Sequence, residues 1–309
     1  MTSPGVRSGV VGVSPRPRKP ARIRASPPTS NRAASTRPRV VSLAQRRRFG
    51  HRDLALAAGF VGVGCFADGA RFYSLGWPSG PPIDAPMRLV AVADTHTFQD
   101  ELGAIPDGDV FIHGGDLLRR GTLAELEPVA AWIRRLPHPY KIVIAGNHDW
   151  CFMDDRVACQ QMLGEGVVYL EDQAHQIGEL RFWGSPWQPE YNDWAFNLPR
   201  GPALAEKWAL IPSDTDVLIT HGPPRGYGDR SSIGRRSGCE DLLHAVHRVS
   251  PALHLFGHIH QDGGFWRAGG VAYANVTTWE CERLPSVIDI DPVTRTVMPV
   301  SIPAARKIG

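Results

Sequence analysis

Cysteine is scarce in this sequence, and the few cysteines are scattered. Five occur in 309 residues, and no two of them are spaced as Cys-x-x-Cys. This pattern excludes a disulfide framework and is typical of reduced thiols, or of small apolar packing residues, in a reducing compartment. We therefore expect a cytoplasmic protein.

The apolar stretch near the N-terminus is too short to cross a bilayer. Residues 54–67 form fourteen uncharged positions, which match the h-region of a signal peptide better than a membrane span. Arg46, Arg47 and Arg48 precede this stretch, as in twin-arginine export signals. The long leader, the interruption at Asp53 and the lack of an Ala-x-Ala cleavage site argue against export, which we keep as the alternative location.

Acidic residues are absent from the first 52 positions, which carry 13 Lys and Arg residues. Residues 53–309 carry 21 basic and 31 acidic residues, a formal charge of −10. The sequence thus predicts a disordered basic arm over residues 1–86, ending in a Gly/Pro-rich linker, and an acidic folded domain over residues 87–303. The arm is either a solvated leader, an upstream extension or a contact for anionic surfaces. The acidic domain disfavours long nucleic acids and favours divalent metals.

Apolar runs of strand length alternate with helix-like segments from residue 87 onward. The predicted strands are 89–93, 110–113, 142–145, 217–220, 253–256 and 287–290, and the predicted helices are 123–136, 156–163, 203–210 and 239–249. This alternation predicts an α/β fold in which helices cover sheets.

Polar side chains follow five of these strands directly. They are Asp94 and His96, then Asp116, then Asn147, His148 and Asp149, then His221, and finally His258 and His260. Because open α/β sheets bind ligands beyond the carboxyl ends of their strands, we expect these loops to converge. Each motif alone is compatible with an ordinary polar turn, and only the ordered set indicates a site.

Seven of these side chains are suited to metal binding and contain no thiolate. They are Asp94, His96, Asp116, Asn147, His221, His258 and His260. Mixed oxygen and nitrogen ligands suit Mn, Fe or Zn better than Ca. Seven ligands are too many for one ion and about right for two that share a carboxylate. Two such ions can activate a water molecule and neutralise a phosphoryl group.

The ordered set resembles the calcineurin-like metallophosphoesterase superfamily. The similarity is greatest to its branch of metallophosphoesterase-domain proteins, which are class III-type phosphodiesterases. The segments that carry it are 141–148, 183–187, 196–201, 207–208, 220–224 and 249–260, and the resemblance extends over about residues 88–290.

The resemblance implies a four-layer α-β-β-α sandwich of two mixed sheets, with a dinuclear metal site at the C-terminal ends of the strands. One metal would be held by Asp94, His96, Asp116 and His260, and the other by Asp116, Asn147, His221 and His258. Asp116 would bridge the two ions, and His148 would act as the general acid that protonates the leaving oxygen.

One position departs from the pattern of the superfamily. Its phosphoprotein phosphatases carry an acid three residues after the bridging aspartate, where it orients the catalytic histidine, and this sequence has Arg119 there. Asp149 or a backbone group is then the candidate partner of His148. The departure disfavours a protein phosphatase.

Aromatic residues are concentrated in residues 182–196, which hold six of the 26 in the chain. They predict packing between sheet and loop, with one or two rings at the rim of the site, and stacking on a nucleobase is the alternative. Trp187, Arg200 and Asp149 are our candidates for substrate binding. The histidines inside predicted strands and helices, among them His113 and His254, are expected to be structural.

These observations predict a dinuclear metal-dependent phosphohydrolase with Mn, Fe or Zn as cofactor. We expect a phosphodiesterase that hydrolyses small nucleotide-type diesters, including cyclic nucleotides, by attack of metal-activated hydroxide with His148 as the acid. The alternatives are a phosphomonoesterase, a nuclease, or a non-catalytic phosphate-binding scaffold tethered by the basic arm.

Overall fold

The computed structural model describes residues 85–303. Apart from its last two residues, the predicted basic arm lies outside the described residues, and so does the signal-like segment 54–67. Within residues 85–303, no helix combines the length and the apolar character that a membrane span requires.

Fourteen strands and five α-helices make up this part of the chain. The strands are β1 (Met87–Val92), β2 (Val110–Gly114), β3 (Tyr140–Ile144), β4 (Val168–Tyr169), β5 (Gln173–Ile177), β6 (Leu180–Ser185), β7 (Gln188–Pro189), β8 (Asn197–Leu198), β9 (Val217–Thr220), β10 (Leu253–Phe256), β11 (Gly264–Ala268), β12 (Val271–Asn275), β13 (Ser286–Ile290) and β14 (Val297–Ser301). The helices are α1 (Leu123–Arg135), α2 (Trp150–Asp154), α3 (Arg156–Leu163), α4 (Pro202–Ala209) and α5 (Glu240–Val249).

The strands form two six-stranded mixed sheets and a small two-stranded ribbon. The first sheet has the order β14-β13-β1-β2-β3-β4, and the second has the order β11-β12-β10-β9-β6-β5. Strands β1 to β4 are parallel to one another, as are β12, β10, β9 and β6. Antiparallel strands β13, β11 and β5 extend the two parallel arrays. Each sheet therefore has one edge at which several parallel strands end together.

Side-chain alternation along the strands divides the interior into three apolar layers. In β1, Leu89 and Ala91 face the layer between the two sheets, whereas Val90 and Val92 pack in the layer beneath helix α1. The helices α4 and α5 cover the second sheet in the same way, with Trp208 and Val246 in the third layer. Because alternate residues of a strand point to opposite faces, strands buried on both faces are apolar at nearly every position.

Helix α1 shows how local sequence fixes an element beside the site. The Thr122 hydroxyl accepts a hydrogen bond from the Glu125 backbone N–H, and the Glu125 carboxylate accepts from the backbone N–H groups of Arg120 and Gly121. The Thr122 contact satisfies an N–H group that the helix start leaves free, and the Glu125 contacts hold the two residues before Thr122. It also fixes the segment that leads from the end of β2 into the helix.

The predicted α/β class and the four-layer sandwich are confirmed. All six predicted strands and all four predicted helices are present, with ends that differ by at most two residues. The other eight strands (β4, β5, β6, β7, β8, β11, β12 and β14) and the helix α2 were not predicted as elements.

Candidate metal centre

The loops that follow β1, β2, β3, β9 and β10 meet where the parallel strands of the two sheets end. Within the first sheet, the Asp94 backbone N–H donates to the Gly115 carbonyl at 3.0 Å. Between the sheets, the His258 backbone N–H donates to the Asp94 carboxylate, with 3.0 Å to its Oδ2 atom. The convergence expected from the strand ends is therefore observed.

The structure brings all seven predicted metal ligands into this centre. Three groups of potential ligand atoms each lie within 4.8 Å of one another, and they are Asp94, His96 and His260; His96, Asp116 and His148; and Asp116, His221 and His258. The seventh residue, Asn147, places its Oδ1 atom 3.0 Å from His221 Nε2.

Hydrogen bonds to backbone carbonyls fix which ring nitrogen of two histidines carries the proton. His96 Nδ1 donates to the Leu118 carbonyl at 3.1 Å, and His221 Nδ1 donates to the Gly114 carbonyl at 3.0 Å. In the neutral rings, Nε2 is then unprotonated, and its lone pair is available in the centre. Such carbonyl contacts are typical of histidines that bind a metal through the other nitrogen.

Several atoms in the centre can only repel one another unless a cation or a proton lies between them. His96 Nε2 is 3.4 Å from His260 Nε2, and His221 Nε2 faces the Asn147 amide oxygen at 3.0 Å. Close pairs of acceptors, all buried or half-buried and with no thiolate, fit a transition metal bound by nitrogen and oxygen. The donor set therefore fits the metals that the sequence predicts.

Asp116 lies between the two halves of the centre. Its Oδ2 atom is 3.8 Å from His96 Nε2 and 3.4 Å from His221 Nε2, while Oδ1 accepts from the His148 backbone N–H at 2.8 Å. Burial alone would raise the pKa of Asp116, but His221 and His96 hold it well below its usual range. Asp116 belongs to two of the three groups of potential ligands and could therefore contribute to both halves of the centre.

The histidines of the centre differ in how their surroundings shift their pKa values. Burial lowers the pKa of His258 to about 4, so this ring is neutral and able to bind metal at neutral pH. Burial also opposes the charged form of His221, but the carboxylates of Asp116 and Asp94 outweigh it and raise the pKa to about 9. A metal ion bound at His221 would take the place of that proton, so we expect metal binding to release a proton.

Four of the seven ligand residues adopt a left-handed backbone conformation. The φ angles are 57° for Asp94, 46° for His96, 54° for Asp116 and 68° for His258. Non-glycine residues rarely adopt this conformation because Cβ approaches the neighbouring carbonyl. Strain of this kind is concentrated at functional sites, where the surrounding structure enforces it.

His148 lies beside the centre, and a backbone group orients it. Its Nδ1 atom donates to the carbonyl of Arg119 at 2.9 Å, which leaves Nε2 free for proton transfer. Its ring contacts Trp194, with centroids 4.1 Å apart, and His96, with centroids 4.6 Å apart. The residue that replaces the expected acid thus supplies the orienting oxygen from its main chain, while its guanidinium lies over the Phe98 ring.

The Asp149 side chain contacts backbone groups of two neighbouring loops. Its carboxylate is fully buried and accepts three backbone hydrogen bonds, from Gly146 at 2.8 Å, Leu118 at 2.9 Å and Leu117 at 3.2 Å. Burial, reinforced by the charge of Asp116, raises the pKa of Asp149 to about 8. The side chain joins the loops after β2 and β3, and the His148 ring donates its Nδ1 hydrogen bond to the Arg119 carbonyl instead.

The other two substrate-binding candidates also have protein partners. Arg200 donates to the carbonyls of Ser237 at 2.7 Å and Gly238 at 2.8 Å. The indole N–H of Trp187 donates to Asp172 at 3.1 Å, and the Lys207 ammonium lies 4.4 Å from the Trp187 ring centroid. These contacts hold loops together, and they do not favour the predicted role of either residue.

The aromatic segment is divided among core, surface and rim. Phe182, Trp183 and Phe196 are buried in three different apolar clusters, and Tyr191 is exposed. Trp194 is half-buried against His148 and therefore lies at the rim. The packing predicted for this segment is thus observed for three of its rings. The composition of the segment did not indicate which ring would lie at the rim.

A second tryptophan at the rim was missed altogether. Trp279 is half-buried, and its ring centroid is 6.2 Å from that of His260. It starts a left-handed turn of three residues, Trp279, Glu280 and Cys281, with the Glu280 N–H bonded to the Asp94 carbonyl at 2.9 Å. The turn contains no glycine or proline, so the sequence carries no local signal for it.

Comparisons with known proteins agree with this geometry. A family model described as Calcineurin-like phosphoesterase matches residues 87–262. Metallophosphoesterase domain-containing protein 1 of Homo sapiens is 40% identical over 242 residues, which cover 68% of this chain and 74% of that protein. A UPF0046 protein of Caenorhabditis elegans is 37% identical over 225 residues, which cover 68% of this chain and 76% of that protein.

The solved structure of TT1561 from Thermus thermophilus has a similar fold. It superposes with a TM-score of 0.50 at 13% identity and covers 70% of this chain and 98% of that one. The family resemblance seen in the sequence is confirmed by the matching family model and by the identity to the human relative. With clustered His and Asp side chains that can hold metal, this chain is a metal-dependent phosphoesterase and belongs to the calcineurin-like phosphoesterase family.

Proposed function

We propose that this phosphoesterase hydrolyses small phosphodiesters of the nucleotide type, including cyclic nucleotides. The observation that carries the proposal is the pair of half-buried tryptophans at the rim, Trp194 beside His148 and Trp279 near His260. A phosphodiester has an organic substituent on each side of phosphorus, and indole rings are good surfaces for stacking nucleobases. The two rings give both substituents an apolar contact beside the centre.

The charges around the centre also support a diester. A phosphomonoester carries about two negative charges at neutral pH and a diester carries one, so a monoesterase benefits from additional cationic side chains around the phosphate. Arg200, the cation that the sequence suggested for this purpose, donates from both terminal nitrogens to backbone carbonyls instead. The guanidinium of Arg119 lies over Phe98.

Each part of the centre has a defined task in this proposal. The residues that would hold two metal ions are the seven predicted ligands, with Asp116 shared between them. Bound there, Mn, Fe or Zn would neutralise phosphate charge and lower the pKa of water. His148 holds a proton at Nε2 for the leaving oxygen, while its Nδ1 contact with the Arg119 carbonyl keeps the ring in place.

Matched chromogenic substrates test the proposal. The protein is stripped with a chelator, reloaded with Mn²⁺, and assayed on bis-p-nitrophenyl phosphate and on p-nitrophenyl phosphate. We expect metal-dependent turnover with a higher kcat/KM for the diester, followed by turnover of 2′,3′- or 3′,5′-cyclic nucleotides. A higher kcat/KM for the monoester would replace the proposal with a phosphomonoesterase. Absence of diester turnover with metal bound would refute it.

A further inference from the structure

The connection between β9 and α5 carries an exposed turn rich in arginine. Residues 230–236, called the arginine hairpin below, are closed by a bridge between Arg230 and Arg236. Within the hairpin, the Ser231 N–H donates to the Arg235 carbonyl at 2.9 Å, and the Gly234 N–H donates to the Ser231 carbonyl at 2.8 Å. These hydrogen bonds give the hairpin a defined backbone.

The charge of the hairpin is opposite to that of the domain. Residues 85–303 contain 18 basic and 28 acidic residues, yet three arginines lie within the seven residues of the hairpin. Arg236 is paired with the buried Asp229. The exposed side chains of Arg230 and Arg235 have no hydrogen bond or ion pair within residues 85–303. Their guanidinium groups therefore keep their N–H donors for an external anion.

The hairpin is held against the loop that carries two metal ligands. The Arg230 backbone N–H donates to the Asp262 carboxylate at 2.8 Å, two residues beyond His260. The side-chain amide of Asn275 donates both to the Gly228 carbonyl at 3.1 Å and to the Ile259 carbonyl at 2.9 Å. The connection that carries the hairpin also begins directly after His221. Its position relative to the metal centre is therefore fixed from both sides.

Gly228 lets the chain pass close to the second sheet at this point. Its φ angle is 58°, and a Cβ atom there would lie 2.7 Å from the Phe256 ring and 2.9 Å from Asn275 Cβ. A glycine avoids both the strained backbone and this overlap. The base of the hairpin is consequently packed onto the sheet that presents His221, His258 and His260.

We propose that Arg230 and Arg235 bind a second anionic group of the substrate, beyond the phosphodiester at the metal centre. The inference rests on the proposed phosphodiesterase function and narrows its substrate class to diesters with an additional phosphate. Guanidinium groups suit this task because they bind phosphate oxygens through two parallel N–H donors. A long nucleic acid does not fit, because the remaining surface of the domain is predominantly acidic.

A matched substrate pair isolates the second phosphate. The first substrate is the p-nitrophenyl ester of thymidine 5′-phosphate, and the second is the same diester with a 3′-phosphate added. In the Mn²⁺-loaded enzyme, we expect a lower KM for the second substrate. Arg230→Gln and Arg235→Gln should each raise that KM about fivefold and leave kcat and the KM of the first substrate unchanged, as expected for one exposed charge-assisted contact.

Arg135→Gln is the matched control. Arg135 is exposed in the last turn of α1, shortly before β3 begins, and therefore at the opposite edge of the sheet from the centre. This substitution removes the same charge and should change neither KM. If Arg135→Gln reduces the difference in KM between the two substrates as much as the hairpin variants do, the effect reflects the net charge of the domain, and the proposal is overturned.

Calorimetric titration gives a readout that is independent of turnover. Thymidine 3′,5′-bisphosphate should bind the Mn²⁺-loaded protein more tightly than thymidine 5′-phosphate, and both hairpin variants should lose this difference. If the wild-type protein hydrolyses neither substrate, the proposed function fails, and the titration still decides the inference. If it hydrolyses both and the hairpin variants bind the bisphosphate as tightly as wild type does, the inference alone fails.

Discussion

Replacing Asp149 by alanine should both destabilise the protein and loosen the metal centre. The carboxylate is the acceptor for the backbone N–H groups of Leu117, Leu118 and Gly146. Two of these residues follow the predicted ligand Asp116, and the third directly precedes the predicted ligand Asn147. Its removal leaves three buried donors without a partner and frees the two loops from each other.

The magnitude follows from the number of donors that lose their acceptor. A buried N–H group without a partner costs about 1–3 kcal/mol, and a water molecule that enters the vacated space recovers part of this. We therefore expect the free energy of unfolding to fall by about 3–5 kcal/mol. Substitution of a residue that orients metal ligands typically lowers metal affinity by about 10- to 100-fold, and we expect the Mn²⁺ affinity to fall by a factor in that range.

Two measurements separate these effects. Urea unfolding of chelator-treated protein, followed by tryptophan fluorescence, gives the stability change without metal, and titration with Mn²⁺ then gives the affinity. Asp149→Asn keeps one acceptor oxygen and should lie between wild type and Asp149→Ala. Asp291→Ala is the control, because Asp291 also accepts from two backbone N–H groups, Val293 and Thr294, but in an exposed turn where water replaces it.

Two results would refute the prediction for Asp149. If Asp149→Ala unfolds within about 1 kcal/mol of wild type and still binds two Mn²⁺ ions with unchanged affinity, the three hydrogen bonds do not hold the loops together. An equal effect of Asp291→Ala on metal affinity would show that the loss reflects general destabilisation.

Three further predictions address the remaining parts of the structure. Asp116→Asn should reduce Mn²⁺ stoichiometry below two per chain, because it weakens the shared ligand; metal analysis that still finds two tightly held ions would contradict the bridging role. His148→Ala should keep the metals and slow diesters with alkyl leaving groups by about 100-fold, but bis-p-nitrophenyl phosphate far less, since a good leaving group needs no proton. Equal rate losses on both substrates would mean that His148 positions phosphate. Burial lowers the pKa of His254 to about 3, so the unfolded chain, with a histidine pKa of about 6.5, takes up the proton first as the pH falls. The free energy of unfolding should therefore drop between about pH 6.5 and pH 3, by about 2 kcal/mol at pH 5 from this residue. In urea titrations of the chelated protein, His254→Gln should remove this contribution to the pH dependence of the free energy of unfolding. An unchanged pH dependence would show that His254 is not the titrating group.

The parts of the fold that the sequence predicted are those with a regular apolar pattern. Strands β1, β2, β3, β9 and β10 are largely buried on both faces, so each appears as a mainly apolar run that is followed by a polar loop. Because each of these runs ends in the parallel part of a sheet, its end also locates a loop of the site. One physical rule therefore predicted both the architecture and the convergence of the ligands.

Most of the strands that were missed have mixed composition or contain only two residues. Strand β6 interrupts its apolar residues with Arg181 and Gly184, and the burial of Gly184 against the first sheet is visible only in three dimensions. The hairpin of β11 and β12 did carry a signal, since Gly269 and Gly270 both have positive φ angles, of 56° and 83°. A Gly-Gly pair between two short runs is typical of a tight hairpin turn.

The partner of His148 could not have been predicted from side chains at all. An acid was expected three residues after Asp116, and its replacement by Arg119 suggested a gap in the site. The carbonyl of Arg119 fills that gap, and every residue type offers a carbonyl at the same place. Sequence comparison detects the lost carboxylate but has no means of detecting a main-chain acceptor.

The left-handed backbone conformation of four predicted ligands explains why the loops depend on one another. Each such residue costs roughly 1 kcal/mol or more unless its neighbours enforce the conformation. The enforcing hydrogen bonds come from other loops, as when the His96 N–H donates to the Asp116 carbonyl and the His258 N–H donates to the Asp94 carboxylate. The His258 contact crosses from one sheet to the other, so the second sheet must be packed on the first before Asp94 and His258 are both fixed. The centre is therefore a product of the complete sandwich, and a change in one loop, such as the loss of the Asp149 carboxylate, should be felt at ligands on both sheets.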